Sequence, residues 1–250
     1  VENCPLGQAR RSRSVKMVRA MRAPGACFAS LLVLTGCLGG GGGGGGAGGS
    51  TPSLAQLDLP LGADPLSFET PEYRRSRALE PIGASTLYAA GGTGAGVTVG
   101  IIDTGIDQSH PELAGAIHPA SRDLVRGGAL LDGSGHGTAV AGLIGARQNG
   151  SATHGVAFAA ELLAIRADDA GSCTAACTFD QDDLAAATDY AVANGARVLN
   201  FSLGTETGLA SSLRRALGDA AAADRVLVLA AGNGGEIGRA SCRERVSFTV

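Results

Sequence analysis

Several features that direct a chain toward a particular function are scarce or missing here. The sequence has no tryptophan, one lysine and 17% charged residues, and residues 38–235 carry nine more acidic than basic side chains. Because phosphate binding needs a basic face, this balance argues against a nucleic-acid partner. No Gly-X-Y period exists, which excludes a collagen, and an apolar content of 44% excludes disorder throughout. The composition instead fits one domain of fewer than roughly 200 residues.

The beginning of the sequence has the pattern of an export signal. Arg22 precedes an apolar stretch at 26–34 that is too short to span a bilayer comfortably, and the stretch leads to Leu34-Thr35-Gly36-Cys37. This ending resembles the lipobox of bacterial lipoproteins, in which a peptidase cuts before the cysteine and the thiol is lipidated. We therefore predict that Cys37 carries a lipid anchor. An ordinary signal sequence with a chance cysteine is the alternative.

Glycine is concentrated directly behind this cysteine. Residues 39–46 are an unbroken glycine run, which indicates a flexible tether that holds a folded domain off the membrane. Leu38 stands where an aspartate would retain such a lipoprotein at the inner membrane, so the bacterial outer membrane or cell surface is favoured. We predict upstream residues plus a lipoprotein signal peptide over 1–37 and a Gly-rich linker over 38–53.

The end of the sequence breaks with what precedes it. Residues 236–246 have neither a helix nor a strand period, and their back-translation resembles a common short-read sequencing adapter. We interpret residues 236–250 as an artefact; a genuine basic tail is the alternative. Under this interpretation Ser241 and Cys242 have no function.

The middle of the chain alternates strand and helix patterns. Short runs rich in branched apolar residues predict buried strands, and the Ala- and Leu-rich stretches between them predict helices. Such near-continuous apolar strands are typical of a parallel sheet covered on both faces. The predicted strands are 97–102, 161–166, 197–201 and 225–230, and the predicted helices are about 137–147, 182–194 and 209–224.

Polar residues follow these strands, where parallel sheets place their working groups. Asp103 follows the first strand, Ser202-Leu203-Gly204 follows the third, and Asn233 follows the fourth. His136 lies at a Gly-flanked helix start. Taken singly, Asp103 could be a turn residue and His136 a surface or capping group. Together with Asn233 they supply an orienting carboxylate, a base and an oxyanion donor. An aspartic protease is disfavoured, since it needs two such carboxylates on a β-rich fold.

Five motifs in this order resemble the subtilisin-like serine proteases over residues 95–234. They are Asp103-Thr104-Gly105-Ile106-Asp107, His110-Pro111-Glu112-Leu113, Gly135-His136-Gly137-Thr138, Asn200-Phe201-Ser202-Leu203-Gly204 and Ala230-Ala231-Gly232-Asn233. The resemblance implies an α/β fold, a three-layer parallel sheet with helices on both faces, here C-terminally truncated. It also implies a serine endopeptidase with polypeptide substrates and no required cofactor.

The resemblance implies a role for each matched residue. Asp103 would orient His136, and His136 would take a proton from a serine and return it to the leaving amine. Asn233 would donate to the oxyanion, and Ser202, Leu203 and Gly204 would line the cleft and pair with an extended peptide.

One departure from the family pattern concerns the nucleophile. The family's serine lies in a Gly-Thr-Ser segment several dozen residues after the oxyanion asparagine, whereas 17 residues follow Asn233 here. Neither Ser241 nor Ser247 has that context. We therefore expect the chain as written to be unable to form an acyl-enzyme. A catalytically dead surface lipoprotein or binding module on the same fold is the first alternative function, and an unrelated α/β binding lipoprotein is the second.

Weaker signals concern cysteines and a metal. Cys173 and Cys177 are predicted to form a disulfide in an exported protein, with a metal site as the poorer alternative. Glu112 and Asn149 match positions that bind calcium in some family members, so calcium is a further expectation; plain surface polarity is the alternative.

The remaining prediction concerns domain organisation. We expect a lead-in over 54–90 and a partial peptidase domain over 91–235. Glu72-Tyr73 and residues 82–89 resemble the start of catalytic domains in autotransporter-type members of the family, some of which are lipidated.

Overall fold

A five-stranded parallel sheet forms the centre of this computed structural model, which describes residues 62–125, 127–173, 177–204 and 208–230. Its strands lie in the order β2-β3-β1-β4-β5. They are β1 (Thr98–Asp103), β2 (Arg122–Asp123), β3 (Glu161–Arg166), β4 (Val198–Phe201) and β5 (Val226–Leu229). All neighbouring strands pair in parallel, so their carboxyl ends share one edge of the sheet. β1 is central, and Asp103 lies at its carboxyl end.

Helices of very different length surround the sheet. They are α1 (Pro71–Arg75), α2 (Ala84–Ala89), α3 (His136–Gly145), α4 (Gln181–Ala193) and α5 (Ser211–Ala222), with short 3-10 helices at Pro65–Phe68 and Pro111–Leu113. α4 begins where the side chain of Asp180 accepts hydrogen bonds from the amides of Asp182 and Asp183. It ends before Gly195, whose φ of +84° is the left-handed conformation that terminates helices.

The two faces of the sheet bury different side chains because strand residues alternate in direction. Ile102, Leu163 and Ile165 pack against α4 and α5, while Ile101 and Leu162 belong to a second cluster that includes residues of α3. Helices therefore cover both faces, and the predicted three-layer α/β fold is confirmed. The four predicted strands and three predicted helices are present, with ends shifted by a few residues at most.

The sequence did not reveal three short elements. α1 and α2 have five and six residues, too few to show an apolar period, and β2 has only two. α1 and α2 supply Tyr73, Ala84 and Tyr88 to a third buried cluster, which also contacts Phe158. The described part of the predicted lead-in is thus packed onto the domain.

Several predictions fall outside the described residues: Cys37 with its signal and linker, Asn233, and residues 236–250 with Ser241, Cys242 and Ser247. Among the described residues, no helix has the length and apolar character needed to cross a membrane.

Candidate active site

The carboxyl end of β1 and the first residue of α3 meet at this site. The Oδ1 atom of Asp103 lies 2.7 Å from Nδ1 of His136. The Asp103 side chain is 1% exposed and the His136 side chain is 51% exposed. A carboxylate that accepts the Nδ1 proton holds the imidazole in one tautomer and leaves Nε2 as the basic nitrogen. The two residues that the sequence singled out from separate elements are therefore brought together as a hydrogen-bonded pair.

The environment of Asp103 makes its negative charge costly. Burial raises the pKa of its carboxyl above the ordinary value, and hydrogen bonds from His136 and from the amide of Thr104 offset part of that increase. Oδ2 of Asp103 is buried without a hydrogen-bond partner among the described residues. A carboxylate with so few compensating contacts gains most from a positive charge next to it, which an imidazolium at His136 provides.

A second carboxylate, Asp132, joins the two elements behind this pair. Its Oδ1 accepts from the hydroxyl of Thr104 at 2.8 Å and from the amide of Gly135 at 2.8 Å. Its Oδ2 accepts from the amide and the hydroxyl of Thr138 at 2.8 and 2.6 Å. Burial raises the pKa of Asp132, but these hydrogen bonds outweigh it and hold the pKa below its usual range. Asp132 stays ionised and fixes the start of α3 against the end of β1.

The role of Asp132 was missed at the sequence level, although its signal is visible there. The residue before α3 is Gly135, which has no side chain to cap the helix. The helix amides must then find an oxygen elsewhere, and Asp132, three residues upstream, supplies it.

Glycines allow the two backbones to approach closely. A Cβ atom on Gly137 would overlap the carbonyl oxygen of Gly105. The amide of Gly137 donates to the hydroxyl of Thr104 at 3.0 Å in the same contact. The lack of a side chain at Gly137 therefore lets the start of α3 lie against the end of β1, with His136 next to Asp103.

The predicted cleft residues Ser202, Leu203 and Gly204 follow β4, which pairs with β1. They consequently lie at the same edge of the sheet as Asp103. The hydroxyl of Ser202 accepts a hydrogen bond from the side chain of Asn200 at 2.9 Å. This contact ties the segment to the strand that precedes it.

The segment after β3 lies at this edge as well. Arg166 pairs with Asp103 across the sheet and donates from Nε to Asp168 at 2.7 Å. The hydrogen bond to Asp168 raises the pKa of Arg166, although burial opposes it. Cys173 and Cys177 form a disulfide, and Sγ of Cys173 lies 3.5 Å from Oδ2 of Asp168. An ion pair and a disulfide thus hold the chain that leaves β3.

The residues at the expected calcium positions, Glu112 and Asn149, face backbone amides in this structure. Calcium needs six to eight oxygen ligands. Oε2 of Glu112 faces the amide of Thr153 at 3.4 Å, and Oδ1 of Asn149 accepts from the amide of Ser151 at 2.8 Å. The carbonyl oxygens of Ser151 and Ala152 accept from the guanidinium of Arg75. No group of three or more Asp, Glu, His or Cys that could hold a metal occurs in the described part of the chain.

A sequence model of the subtilase family, Peptidase_S8, matches residues 94–247. This match covers more than half of the chain, and the chain belongs to the subtilase family.

Several curated relatives are similar to it. Subtilisin E of Bacillus subtilis is 36% identical over 182 residues, which are 68% of this chain and 43% of that protein. Subtilisin DY of Bacillus licheniformis is 40% identical over 159 residues, 63% of this chain and 54% of that protein. An extracellular serine protease of Serratia marcescens is 39% identical over 119 residues, 45% of this chain and 11% of that protein. The chain thus spans about half the length, or less, of these relatives.

Among solved structures, fervidolysin from Fervidobacterium pennivorans, a keratinolytic enzyme related to subtilisin, superposes with a TM-score of 0.51 at 30% identity. The superposition covers 56% of this chain and 22% of fervidolysin. It supports the subtilisin-like fold described above.

Proposed function

We propose that this protein is a serine endopeptidase of the subtilisin type, which hydrolyses peptide bonds with an Asp, His and Ser triad. The observation that carries the proposal is the 2.7 Å contact between a buried carboxylate and an exposed imidazole, Asp103 and His136. This pair lies at the carboxyl edge of a parallel sheet, where α/β folds place their catalytic and binding residues. Family membership supports the same reaction.

The proposed reaction uses His136 twice. Its Nε2 takes the proton of a serine hydroxyl as the oxygen attacks the scissile carbonyl carbon, and the carbonyl becomes a tetrahedral oxyanion. The amide side chain of Asn233 donates to this oxyanion. His136 then gives the proton to the leaving amine, and water hydrolyses the acyl-enzyme by the same steps. Asp103 keeps the imidazole oriented and stabilises the imidazolium.

No Gly-Thr-Ser segment follows Asn233 in the 250 residues, and we propose that they do not supply the nucleophile. Ser241 and Ser247 lie outside the family's Gly-Thr-Ser context. The proposal therefore refers to the complete product of the gene, and the chain as written is proposed to be inactive.

Polypeptides are the proposed substrates. Ser202, Leu203 and Gly204 follow β4 beside the catalytic pair, and backbone groups there would pair with an extended peptide as an added strand. The site would then hold the substrate by main-chain contacts, with the scissile bond near His136.

We further propose export followed by lipid anchoring. Relatives named as extracellular proteases support export. The proposed anchor is a lipidated Cys37 with the linker at 38–53 as tether, at the bacterial outer membrane or cell surface, as in lipidated autotransporter-type members of the family. Metabolic labelling with a radioactive fatty acid tests this directly: the wild-type protein should incorporate label, and Cys37→Ala should not.

A catalytically dead binding protein is the second candidate, favoured by the lack of a Gly-Thr-Ser segment among the 17 residues after Asn233. Resequencing the gene across the codons for Gly232 to Val250 and beyond separates the two. An open frame that continues to a Gly-Thr-Ser segment supports the protease. A genomic sequence that confirms residues 236–250 and then stops supports the binding protein.

Hydrolysis by the complete gene product completes the test. Wild-type protein should cleave a fluorogenic peptide, and His136→Ala should abolish cleavage. His118→Ala is the matched control. The backbone of His118 contacts Leu162 near the amino end of β3, whereas Asp103 and His136 lie at the carboxyl edge of the sheet. The assignment of His136 as the catalytic base would be contradicted if both variants lost cleavage equally, or if neither variant lost it.

A further inference from the structure

The helix α1 holds a loop far from it in sequence. Both carboxylate oxygens of Glu72 accept backbone amides of this loop, from Asn149 at 3.0 Å and from Gly150 at 2.9 Å. The hydroxyl of Ser76, directly after α1, accepts the amide of His154 at 2.9 Å. We call residues 149–154 the clamped loop. It lies between α3 and β3, in the part of the chain where the family resemblance suggested calcium.

Arg75, also on α1, carries a positive charge and donates hydrogen bonds to the same loop. Its Nε donates to the carbonyl oxygen of Ala152 at 2.7 Å, and its guanidinium also donates to the carbonyl oxygen of Ser151. Backbone carbonyl oxygens of this kind are ligands that a calcium ion uses. A guanidinium has five donors in a rigid plane and can satisfy two such oxygens together.

A second arginine, two residues before the clamped loop, also donates to backbone carbonyl oxygens. Arg147 donates from one guanidinium nitrogen to the carbonyl oxygens of Phe158 and Ala160, both at 2.9 Å. Its backbone amide donates to the carbonyl oxygen of Glu112 at 2.8 Å. Four backbone carbonyl oxygens in and after the clamped loop, those of Ser151, Ala152, Phe158 and Ala160, therefore already accept from arginine donors.

Apolar packing fixes α1 in this position. Tyr73, on α1 between the two clamping residues, is 2% exposed. The ring of His154, at the end of the clamped loop, lies 6.1 Å from the Tyr73 ring, 5.9 Å from Tyr88 and 5.3 Å from Phe158. Burial of this aromatic cluster fixes the backbone of α1 next to the loop. The hydrogen bonds of Glu72 and Arg75 therefore need no further ordering of that backbone.

We propose that α1 is an internal ligand of the clamped loop and that the guanidinium of Arg75, with the carboxylate of Glu72, takes the place of a calcium ion. The loop is then ordered by residues 71–76 and independent of calcium. The segment 62–90 is an integral part of the folded domain rather than a lead-in. None of this depends on whether the protein is a protease.

The test combines chelation with variants of α1. In the wild-type chain, the unfolding midpoint should be the same in excess EGTA and in millimolar calcium. Arg75→Met and Glu72→Gln should each lower the midpoint by about 3–6 °C. Amide hydrogen exchange of residues 149–154 should accelerate by about tenfold or more in both. Arg74→Met is the matched control, since Arg74 is an exposed neighbour on the same helix, and it should change neither quantity.

Two results would overturn the proposal. EGTA could lower the wild-type midpoint and accelerate exchange in the loop, with calcium restoring both, which would show that a metal orders the loop. Alternatively, Arg75→Met could match Arg74→Met in both measurements, which would show that the guanidinium contributes nothing. The chelation arm uses wild-type protein only, so the proposal stays testable even if the α1 variants fail to fold.

Discussion

Thr104 and Asp132 join the end of β1 to the start of α3 through a 2.8 Å hydrogen bond between hydroxyl and carboxylate. Thr104 follows Asp103 directly, and the carboxylate of Asp132 also accepts the amides of Gly135 and Thr138 on either side of His136. Asp132 therefore holds the backbone on both sides of His136 against the end of β1, which carries Asp103. Asp132 is a positioning residue.

Replacing this carboxylate tests that role. Asp132→Asn removes the negative charge and turns one acceptor into a donor that faces the amide and hydroxyl of Thr138. We expect a loss of about 1–3 kcal/mol in the free energy of unfolding, because the partly buried amide and hydroxyl of Thr138 lose their acceptor. We also expect the Nδ1 proton of His136 to lose its low-field NMR resonance, since its bond to Asp103 loosens. Asp107→Asn, at an exposed carboxylate, should leave the resonance in place; an unchanged resonance in Asp132→Asn would contradict the role.

The raised pKa of Asp103 predicts a stability cost at neutral pH. A carboxyl whose pKa is raised on folding stabilises the native state below its unfolded pKa of about 3.9, and this contribution is lost as pH rises through the raised value. Asp103→Asn should therefore raise the unfolding midpoint at pH 7, and the gain should vanish below about pH 3.9.

Thermal unfolding from pH 3 to pH 8 measures this difference. Asp224→Asn is the control: Asp224 is exposed and has a φ of +60°, which asparagine tolerates, so its curve should follow the wild type. If the Asp103→Asn variant is less stable than the wild type at pH 7, the prediction is wrong. The buried charge of Asp103 is then compensated by contacts beyond those described.

The close contact between Gly137 and Gly105 predicts a position-specific effect of alanine on α3. Gly137→Ala would push its Cβ into the carbonyl of Gly105 and should destabilise the fold by about 1–3 kcal/mol. A Cβ at Gly142, on the same helix, meets no described atom within 4 Å apart from the backbone of its own helix, so Gly142→Ala should be neutral or stabilising by up to about 1 kcal/mol. Urea unfolding of the two alanine variants measures the change in the free energy of unfolding for each. Equal changes would show that the contact with Gly105 is not the cause.

The disulfide predicts a modest contribution to stability. Cys173 and Cys177 close a short loop, for which the chain-entropy account gives about 2 kcal/mol. The double variant Cys173→Ser with Cys177→Ser should lose that amount or less in denaturant unfolding. Mass spectrometry after alkylation without reductant should find both cysteines blocked to the reagent, and alkylation of either one would contradict the bond.

The sequence predicted the parts of this molecule that local patterns determine. Near-continuous apolar runs predicted the long strands, and Asp103 and His136 stood out because each ends or begins an element. The links between distant segments could not be predicted in this way. Asp132 acts on Thr104 28 residues away, and Arg75 reaches the loop carbonyls 76 and 77 residues away. Glu112 and Asn149 have suitable oxygen atoms for calcium, but Oε2 of Glu112 faces the distant amide of Thr153 and Oδ1 of Asn149 accepts from Ser151 in its own loop.

The central claim, that Asp103 and His136 activate a serine, is tested most directly by fluorophosphonate labelling of the complete gene product. The account predicts one labelled serine in the wild type, loss of labelling in His136→Ala, and retained labelling in His118→Ala. A wild-type protein that resists the probe while folded, or a label that persists in His136→Ala at the wild-type rate, would contradict it.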